Sequence, residues 1–251
     1  MTDLRSFFRE IESLEFSLGD QDLAKRAAAE CALSLVRPGM VLGLGTGSTV
    51  DFFLQLLAEE VRRGLSVTGI PTSDRTQQRA LELGIPLVNT EGVFCDLRND
   101  LCVDGADRVD ANGQLIKGGG GALLREKLVA THSAKVCILT DPSKLRMVLD
   151  SSFALPVECL HFGIDSITAE LASLGCEASL RCDAAKKPLL TDNGNLIVDC
   201  LFSKIEEPRS LELEMSSISG VMEVGLFCGM LDHLVVGVSD DTVKSWGSTG
   251  K

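Results

Sequence analysis

Three aspartates at a three-residue step, a lysine, four consecutive glycines and a glutamate share one stretch, Asp104 to Lys127, DGADRVDANGQLIKGGGGALLREK. Glycine loses more backbone entropy on folding than any other residue, so four in a row beside charges imply close approach of a ligand to the main chain. Asp104, Asp107 and Asp110 admit three readings: oxygen ligands for a hard cation, a solvated acidic turn, or acceptors for sugar hydroxyls. Their spacing fits no EF-hand loop, and only the first two flank a Gly105-Ala106 turn suited to a strand end. The sugar-hydroxyl reading is favoured and no metal is assigned. Lys117, just before Gly118, Gly119 and Gly120, could neutralise negative charge developing on a substrate oxygen. Glu126 has apolar helical neighbours, Ala122, Leu123, Val129 and Ala130. Partial desolvation there raises a carboxylate's proton affinity and suits it to general-base work. Arg125 and Lys127 have similarly apolar neighbours, so an exposed helix charge stays open as the alternative.

A second motif is Gly43-Leu-Gly45-Thr46-Gly47-Ser48-Thr49. Glycines permit a tight turn, and a following helix would offer free N–H groups and a positive dipole end to an anion. The hydroxyls of Thr46, Ser48 and Thr49 add donors for phosphate oxygens. A plain strand-to-helix turn capped by Ser48 or Thr49 is the structural alternative. A dinucleotide fingerprint would want glycine at Ser48 and an acid after the second strand. The chain instead continues Pro71-Thr-Ser-Asp-Arg-Thr76, and no P-loop Gly-Lys-Ser/Thr is present.

The elements that must position these groups alternate. The pattern predicts helices over 21–36 (capped by Asp20), 50–63, 74–83 and 122–133. Between them it predicts strands over 40–45, 65–72, 85–89, 101–103 and 135–140. This rhythm predicts an α/β fold, a Rossmann-like, mostly parallel sheet with helices on both faces, with ligands outside the carboxyl ends of the strands. After Asp150 the texture changes: strands over 155–160 and 177–182, a helix over 165–174, and a hairpin turning on Thr191-Asp-Asn-Gly-Asn195. A helix over 210–217 follows, then strands over 221–227 and 234–238 that could rejoin the first sheet. The reading is a catalytic domain of 1–152 and 221–251 interrupted by a small α+β lid or oligomerisation domain of 153–220.

Bulk properties exclude several classes. Lys plus Arg number 24 against 36 Asp plus Glu, a formal charge of −12, which argues against a nucleic-acid partner because phosphate backbones demand clustered basic charge. Nine cysteines without a C-x-x-C read as reduced core residues. No apolar run reaches the roughly 18 residues of a membrane span, and the N-terminus lacks the pattern of a signal or transit peptide. A cytoplasmic protein with no membrane partner is expected.

Taken in order, GLGTGST, the hydroxyl segment Ser73-Asp74-x-Thr76, VDGAD, IKGGGGALLREK, the D-x-SK of Asp141 to Lys144, LPVE and TDNGN resemble type A ribose-5-phosphate isomerase across residues 20–240. The resemblance implies interconversion of ribose 5-phosphate and ribulose 5-phosphate in the pentose phosphate pathway without cofactors. It implies that Glu126 is the proton-abstracting base, with Asp104, Asp107 and Lys117 also catalytic. Thr46, Gly47, Ser48 and Thr49 would form the first substrate loop, Asp104, Gly105, Ala106 and Asp107 the second, and Lys117 to Gly120 the third. Lys144 would contact the phosphate. A homodimer or homotetramer is implied as well. The chain departs at Arg108, where an acid commonly stands, in the extension before residue 20, and around 229–233. A non-catalytic sugar-phosphate sensor would need no glutamate after the glycines and would usually carry a DNA-binding segment, and an amino-sugar phosphate deaminase would want a histidine within these motifs. His132, His161 and His233 all lie outside them.

Overall fold

Five parallel strands and one antiparallel edge make the first sheet of the computed structural model, which describes residues 3–12, 21–89, 96–239 and 242–247. In spatial order the strands are Val243–Gly247, His233–Gly237, Val136–Thr140, Leu101–Gly105, Val41–Leu44 and Thr68–Pro71. Val243–Gly247 runs antiparallel to His233–Gly237; the other neighbours pair in parallel. The chain steps from Val41–Leu44 outward to Thr68–Pro71, then crosses to Leu101–Gly105 on the other side. The gap between Val41–Leu44 and Leu101–Gly105 is therefore the topological switch point, where such sheets bind ligands beyond the strand ends.

Local signals explain the helices on this sheet. Ser48–Arg62 buries Val50, Phe53, Leu54, Leu57 and Ala58, a stripe at helical spacing. Asp74–Leu83 has the predicted bounds: the Ser73 hydroxyl accepts the Thr76 N–H at its start, and Gly84, at φ 78°, ends it in the left-handed region. Gln21–Leu33 buries only alanines, Ala24, Ala28, Ala29 and Ala32. Small side chains let it lie against the strand His233–Gly237, where a Cβ on Gly237 would come 2.0 Å from the Ala24 carbonyl oxygen. Asp20, the expected cap, and Cys95 lie outside the described residues. A further helix, Leu4–Glu12, buries Leu4, Phe7, Phe8 and Ile11.

The chain divides into two compact units, Met1–Ala106 with Arg125–Leu145 and Met230–Lys251, and Asp107–Leu124 with Arg146–Gly229. The smaller unit thus takes in 107–124, which the sequence reading kept with the larger domain, and extends past 220. Its antiparallel sheet has the order Glu177–Leu180, Leu196–Leu201, Leu155–Cys159, Val221–Val224. One face carries Leu155, Val157, Cys159, Val198, Cys200 and Val224 into a core with Ile167, Leu171 and Met215 from the helices Ile164–Ser173 and Pro208–Ser216.

Three strand expectations need correction. The 221–227 segment does not rejoin the first sheet. Val221–Val224 pairs with Leu155–Cys159, and Leu226–Phe227 pairs with Leu115–Ile116. Gly225 fixes this, because a Cβ there would lie 2.5 Å from the Lys117 oxygen and 2.7 Å from that of Pro156. Of the two segments expected to rejoin it, His233–Gly237 is the one that returns to the first sheet. Residues 85–89 make a single bridge, Leu87 to Gly69, not a strand; Pro86 has no N–H to donate. The TDNGN turn is present, closed by Thr191 N–H to the Asn195 carbonyl at 2.9 Å, but the strand beside Leu196–Leu201 is Glu177–Leu180 and not 189–190.

Among the described cysteines Cys102, Cys137, Cys159, Cys200 and Cys228 are buried and Cys182 is exposed, with none in a disulfide. Burial pushes the thiols of Cys137 and Cys159 up to about 12 and raises that of Cys200 further.

Candidate active site

In the larger unit the expected residues gather at the carboxyl ends of three adjacent parallel strands. Val41–Leu44 ends on the glycine-hydroxyl loop, Leu101–Gly105 contains Asp104, and Val136–Thr140 leads into the short 3-10 turn Pro142–Lys144. Asp104 is 2% exposed, and its Oδ1 accepts the Thr46 N–H at 3.1 Å and the Gly105 N–H at 2.7 Å. A Cβ on Gly45 would fall 2.1 Å from that oxygen. Glycine at 45 is thus the condition for the loop to close over the aspartate. Asp141 caps the turn carrying Lys144 by accepting the Ser143 N–H at 2.8 Å.

The loop is built to present backbone donors. Gly47, at φ 129°, precedes the first helical residue, so Ser48 and Thr49 lie inside the helix and neither is its cap. The first bond back to the loop is Asp51 N–H to the Gly47 carbonyl at 3.0 Å. The N–H groups at 48, 49 and 50 therefore precede the intrahelical ladder at a positive helix end. Ser48 is exposed, and Thr49 is buried.

The Thr46 hydroxyl has a job the sequence reading did not assign. It donates to Ser73 Oγ at 2.8 Å, Ser73 Oγ donates to Thr76 Oγ1 at 3.0 Å, and Thr76 Oγ1 donates to the Gly45 carbonyl at 2.8 Å. Thr72 adds a contact to Thr46 Oγ1 at 3.0 Å and donates to the Leu44 carbonyl at 3.0 Å. Thr72, Ser73 and Thr76 are buried. This closed relay fixes the loop from behind, leaving its N–H groups to face a ligand. The excess of hydroxyls after Pro71 was the signal for it.

Glu126 is 4% exposed and lies on the first turn of the helix Leu123–Thr131. Val129 of that helix sits over the first sheet, where a Cβ on Gly43 would meet its Cγ1 at 2.6 Å. The helix runs between the parallel strands Leu101–Gly105 and Val136–Thr140, so its first turn lies toward their carboxyl ends. That puts Glu126, by its position on the helix, toward the same end of the sheet as Asp104 and the glycine loop. Arg125 pairs with Asp74 at 2.6 Å. A groove of about 660 Å³ lined by Ile70, Asp74, Gln77, Leu81, Arg125 and Leu128 holds none of the expected site residues.

The smaller unit holds the rest. Lys117 is 4% exposed with its ammonium 5.4 Å from the centre of the Phe227 ring, a cation–π contact. Asp107 Oδ2 accepts the Gly119 N–H at 2.8 Å, and a Cβ on Gly119 would lie 2.6 Å from Asp107 Oδ1. Gly118 takes φ 100° and Gly121 φ 82°, with the Gly121 N–H returning to the Gly118 carbonyl at 3.0 Å. Asp110, the third aspartate of the run, ends the strand Arg108–Asp110. Its Oδ1 accepts the Asn112 and Gln114 N–H groups, each at 2.8 Å, and so holds the turn between Arg108–Asp110 and Leu115–Ile116. Arg108 donates to the Ser152 hydroxyl at 2.8 Å and lies 5.2 Å from the Phe153 ring centre. Among the described residues no cluster of three or more His, Cys, Asp or Glu could hold a metal ion. Among the described residues no helix is long and apolar enough to cross a membrane.

The larger unit thus carries a buried carboxylate at Glu126, the oriented Asp104 and an open helix N-terminus, and the smaller unit carries Asp107 and the buried Lys117. A family model for ribose 5-phosphate isomerase A (phosphoriboisomerase A) matches residues 68–241. The ribose-5-phosphate isomerase A of Parvibaculum lavamentivorans is 46% identical over 88% of this chain and 96% of its own. That of Archaeoglobus fulgidus is 46% identical over 86% and 95%. The solved ribose 5-phosphate isomerase A of Methanocaldococcus jannaschii superposes with a TM-score of 0.83 at 37% identity, over 91% of this chain and 99% of that one. A D-ribose-5-phosphate isomerase solved with phospho-erythronic acid gives 0.84 at 36% identity, over 92% and 100%.

Proposed function

We propose that this chain, which belongs to the ribose 5-phosphate isomerase A family, interconverts D-ribose 5-phosphate and D-ribulose 5-phosphate through an enediolate. One observation carries the reading: a buried carboxylate, Glu126, stands at the carboxyl ends of the parallel strands where the oriented Asp104 and the donor loop also lie. Asp104 and Asp107 accept hydrogen bonds from sugar hydroxyls and assist ring opening. Glu126 removes the C2 proton of the open aldose and returns a proton to C1. The oxyanion that develops on the carbonyl oxygen is stabilised by Lys117 and by N–H groups of the glycine run, each good donor contributing roughly 3 to 4 kcal/mol. The helix N-terminus at Gly47, Ser48 and Thr49 contributes further donors for substrate oxygens, and Lys144 contacts the phosphate. Phospho-erythronic acid, held by a relative, carries a carboxylate with the charge and planarity of an enediolate.

The same reading makes the chain a cytoplasmic enzyme of the pentose phosphate pathway, acting as a homodimer or homotetramer. Exposed apolar side chains such as Phe162, Leu190 and Leu213 would be covered in such an assembly. The test is a coupled assay on ribose 5-phosphate in the presence of a chelator, with Glu126→Gln beside the wild type. The variant is expected to lose about 10³-fold or more in kcat with KM nearly unchanged, the pattern of an interaction made in the transition state. Turnover near the wild-type rate would remove Glu126 from the role.

A further inference from the structure

Arg181 lies just past the strand Glu177–Leu180, far along the chain from the glycine run. Its main chain is fixed on both sides, by its N–H to the Ile197 carbonyl at 2.8 Å and by its carbonyl from the Leu189 N–H at 3.0 Å. Its guanidinium is forked. Nε donates to Asp199 Oδ2 at 2.8 Å and Nη2 to Asp199 Oδ1. Nη1 donates to two consecutive carbonyls, Gly118 at 2.9 Å and Gly119 at 3.1 Å. The Arg181 and Asp199 side chains are 15% and 23% exposed, well withdrawn from water. Asp199 shares its face of the sheet with Ile197, whose Cδ1 would meet a Cβ on Gly121 at 3.5 Å. The sheet of the smaller unit therefore has two working faces. One packs the apolar core, and the other receives the glycine run and carries this ion pair.

A trans peptide points its C=O and its N–H in opposite directions. Holding the Gly118 carbonyl on Arg181 therefore turns the Gly119 N–H the other way, onto Asp107 Oδ2 at 2.8 Å. Holding the Gly119 carbonyl likewise turns the Gly120 N–H away from Arg181. That N–H meets no backbone carbonyl among the described residues. Four glycines in sequence have no side chains to resist rotation of these peptide planes. The guanidinium supplies the resistance, and its planar fork can serve a carboxylate and two carbonyls at once, which an ammonium cannot.

We propose that Arg181, held by Asp199, is a positioning residue for the isomerisation: it orients the Gly118 and Gly119 peptides so that Gly120 N–H faces the reacting oxygen and Asp107 keeps its angle. It acts through the glycine run without touching the substrate. This rests on the assignment of that run to the oxyanion, and the experiment separates the two. Arg181→Ala, Arg181→Lys and Asp199→Asn are made in the full chain and assayed with ribose 5-phosphate, with Glu126→Gln as the reference. Folding is followed by circular dichroism, and amide exchange is read on the peptide spanning 118–121.

At a temperature where each variant is folded, Arg181→Ala should lower kcat about 30-fold with KM changed less than about 3-fold, since the donor is needed chiefly in the transition state. Arg181→Lys should fall near it, and Asp199→Asn, which keeps an acceptor, about 5-fold short of wild type. Exchange over 118–121 should quicken in all three. A purely structural clamp would lower thermal stability and leave kcat intact, and that result overturns the proposal. So does a rise in KM alone, which would mean direct contact with substrate. If both Arg181 variants fail to fold, Asp199→Asn decides: wild-type kcat with wild-type exchange sinks the idea. An inactive wild type, or a fully active Glu126→Gln, strikes the site assignment instead.

Discussion

Gly45→Ala is the sharpest perturbation the larger unit offers. The added Cβ would fall 2.1 Å from Asp104 Oδ1 and 2.6 Å from the Asp104 Cα, so part of the collision is with backbone. Relief to an ordinary 3.4 Å contact requires movement of about 1.3 Å at the carboxylate. Such a shift breaks or stretches the bonds from Thr46 N–H and Gly105 N–H to that oxygen. Overpacking of this kind costs about 1 to 3 kcal/mol, and each hydrogen bond to a charged group lost about 1.5 to 3. Partial relaxation keeps the sum near 3 kcal/mol, which in a chain of this size lowers Tm by roughly 6 to 12 °C. A displacement of about 1 Å at a reacting group also costs about 10²-fold in rate. Gly105→Ala is the control, because its Cβ would meet nothing nearer than 3.9 Å and Gly105 does not take a positive φ. It should melt within about 3 °C of wild type, as a backbone position compatible with alanine does. Any loss of activity in it then reports a ligand close to the strand end. Thermal melts by circular dichroism and the isomerase assay measure both. A Gly45→Ala protein that melts with the wild type and turns over within 3-fold of it would refute the argument that Asp104 is held by this close approach.

Thr76→Val keeps the side-chain shape but deletes the end of the hydroxyl relay, leaving the Gly45 carbonyl without its 2.8 Å donor. A loss of about 2 kcal/mol and roughly 4 to 8 °C in Tm is expected, with kcat/KM falling as the loop loosens; an unchanged melt would show the relay to be dispensable. Native thiol titration should find Cys182 reactive while Cys137, Cys159 and Cys200, whose burial keeps them protonated, respond only on unfolding. Cys182→Ser should remove one equivalent of the fast phase, and a fast phase of unchanged size counts against this.

Where the sequence spoke plainly, it did so through short-range signals. The bounds of Asp74–Leu83 follow from a serine cap and a glycine stop, both local. The glycine-hydroxyl turn and the burial of Glu126 were legible because strand, turn and helix adjoin there. The failures are of another kind. Apolar alternation in 221–227 says that a strand forms but not which sheet receives it. That choice is made by Gly225 fitting between the backbones of Lys117 and Pro156. The pairing of Arg181 with Gly118 and Gly119 left no trace in spacing, because the contact spans more than sixty residues and arises only when the antiparallel sheet forms.

The three aspartates show how far spacing alone can carry a chemical reading. One step of three residues joins Asp104 to Asp107 and Asp107 to Asp110, and the sequence sets the first two apart only by the Gly105-Ala106 turn between them. Their work is set by where the chain bends between them. Asp104 still belongs to the parallel strand, so its carboxylate meets the N–H groups at the strand's end. Asp107 has left the strand and takes the Gly119 N–H instead. Asp110 ends the next strand, and its Oδ1 accepts two N–H groups of its own turn. A carboxylate oxygen that closes its own turn serves structure. One that binds backbone from a distant segment fixes that segment's geometry, and its remaining acceptor capacity then has a defined direction. By that criterion Asp104 and Asp107, each within its own unit, are the carboxylates we propose for hydroxyl binding. Substituting Asp110 should then disturb folding before it disturbs turnover.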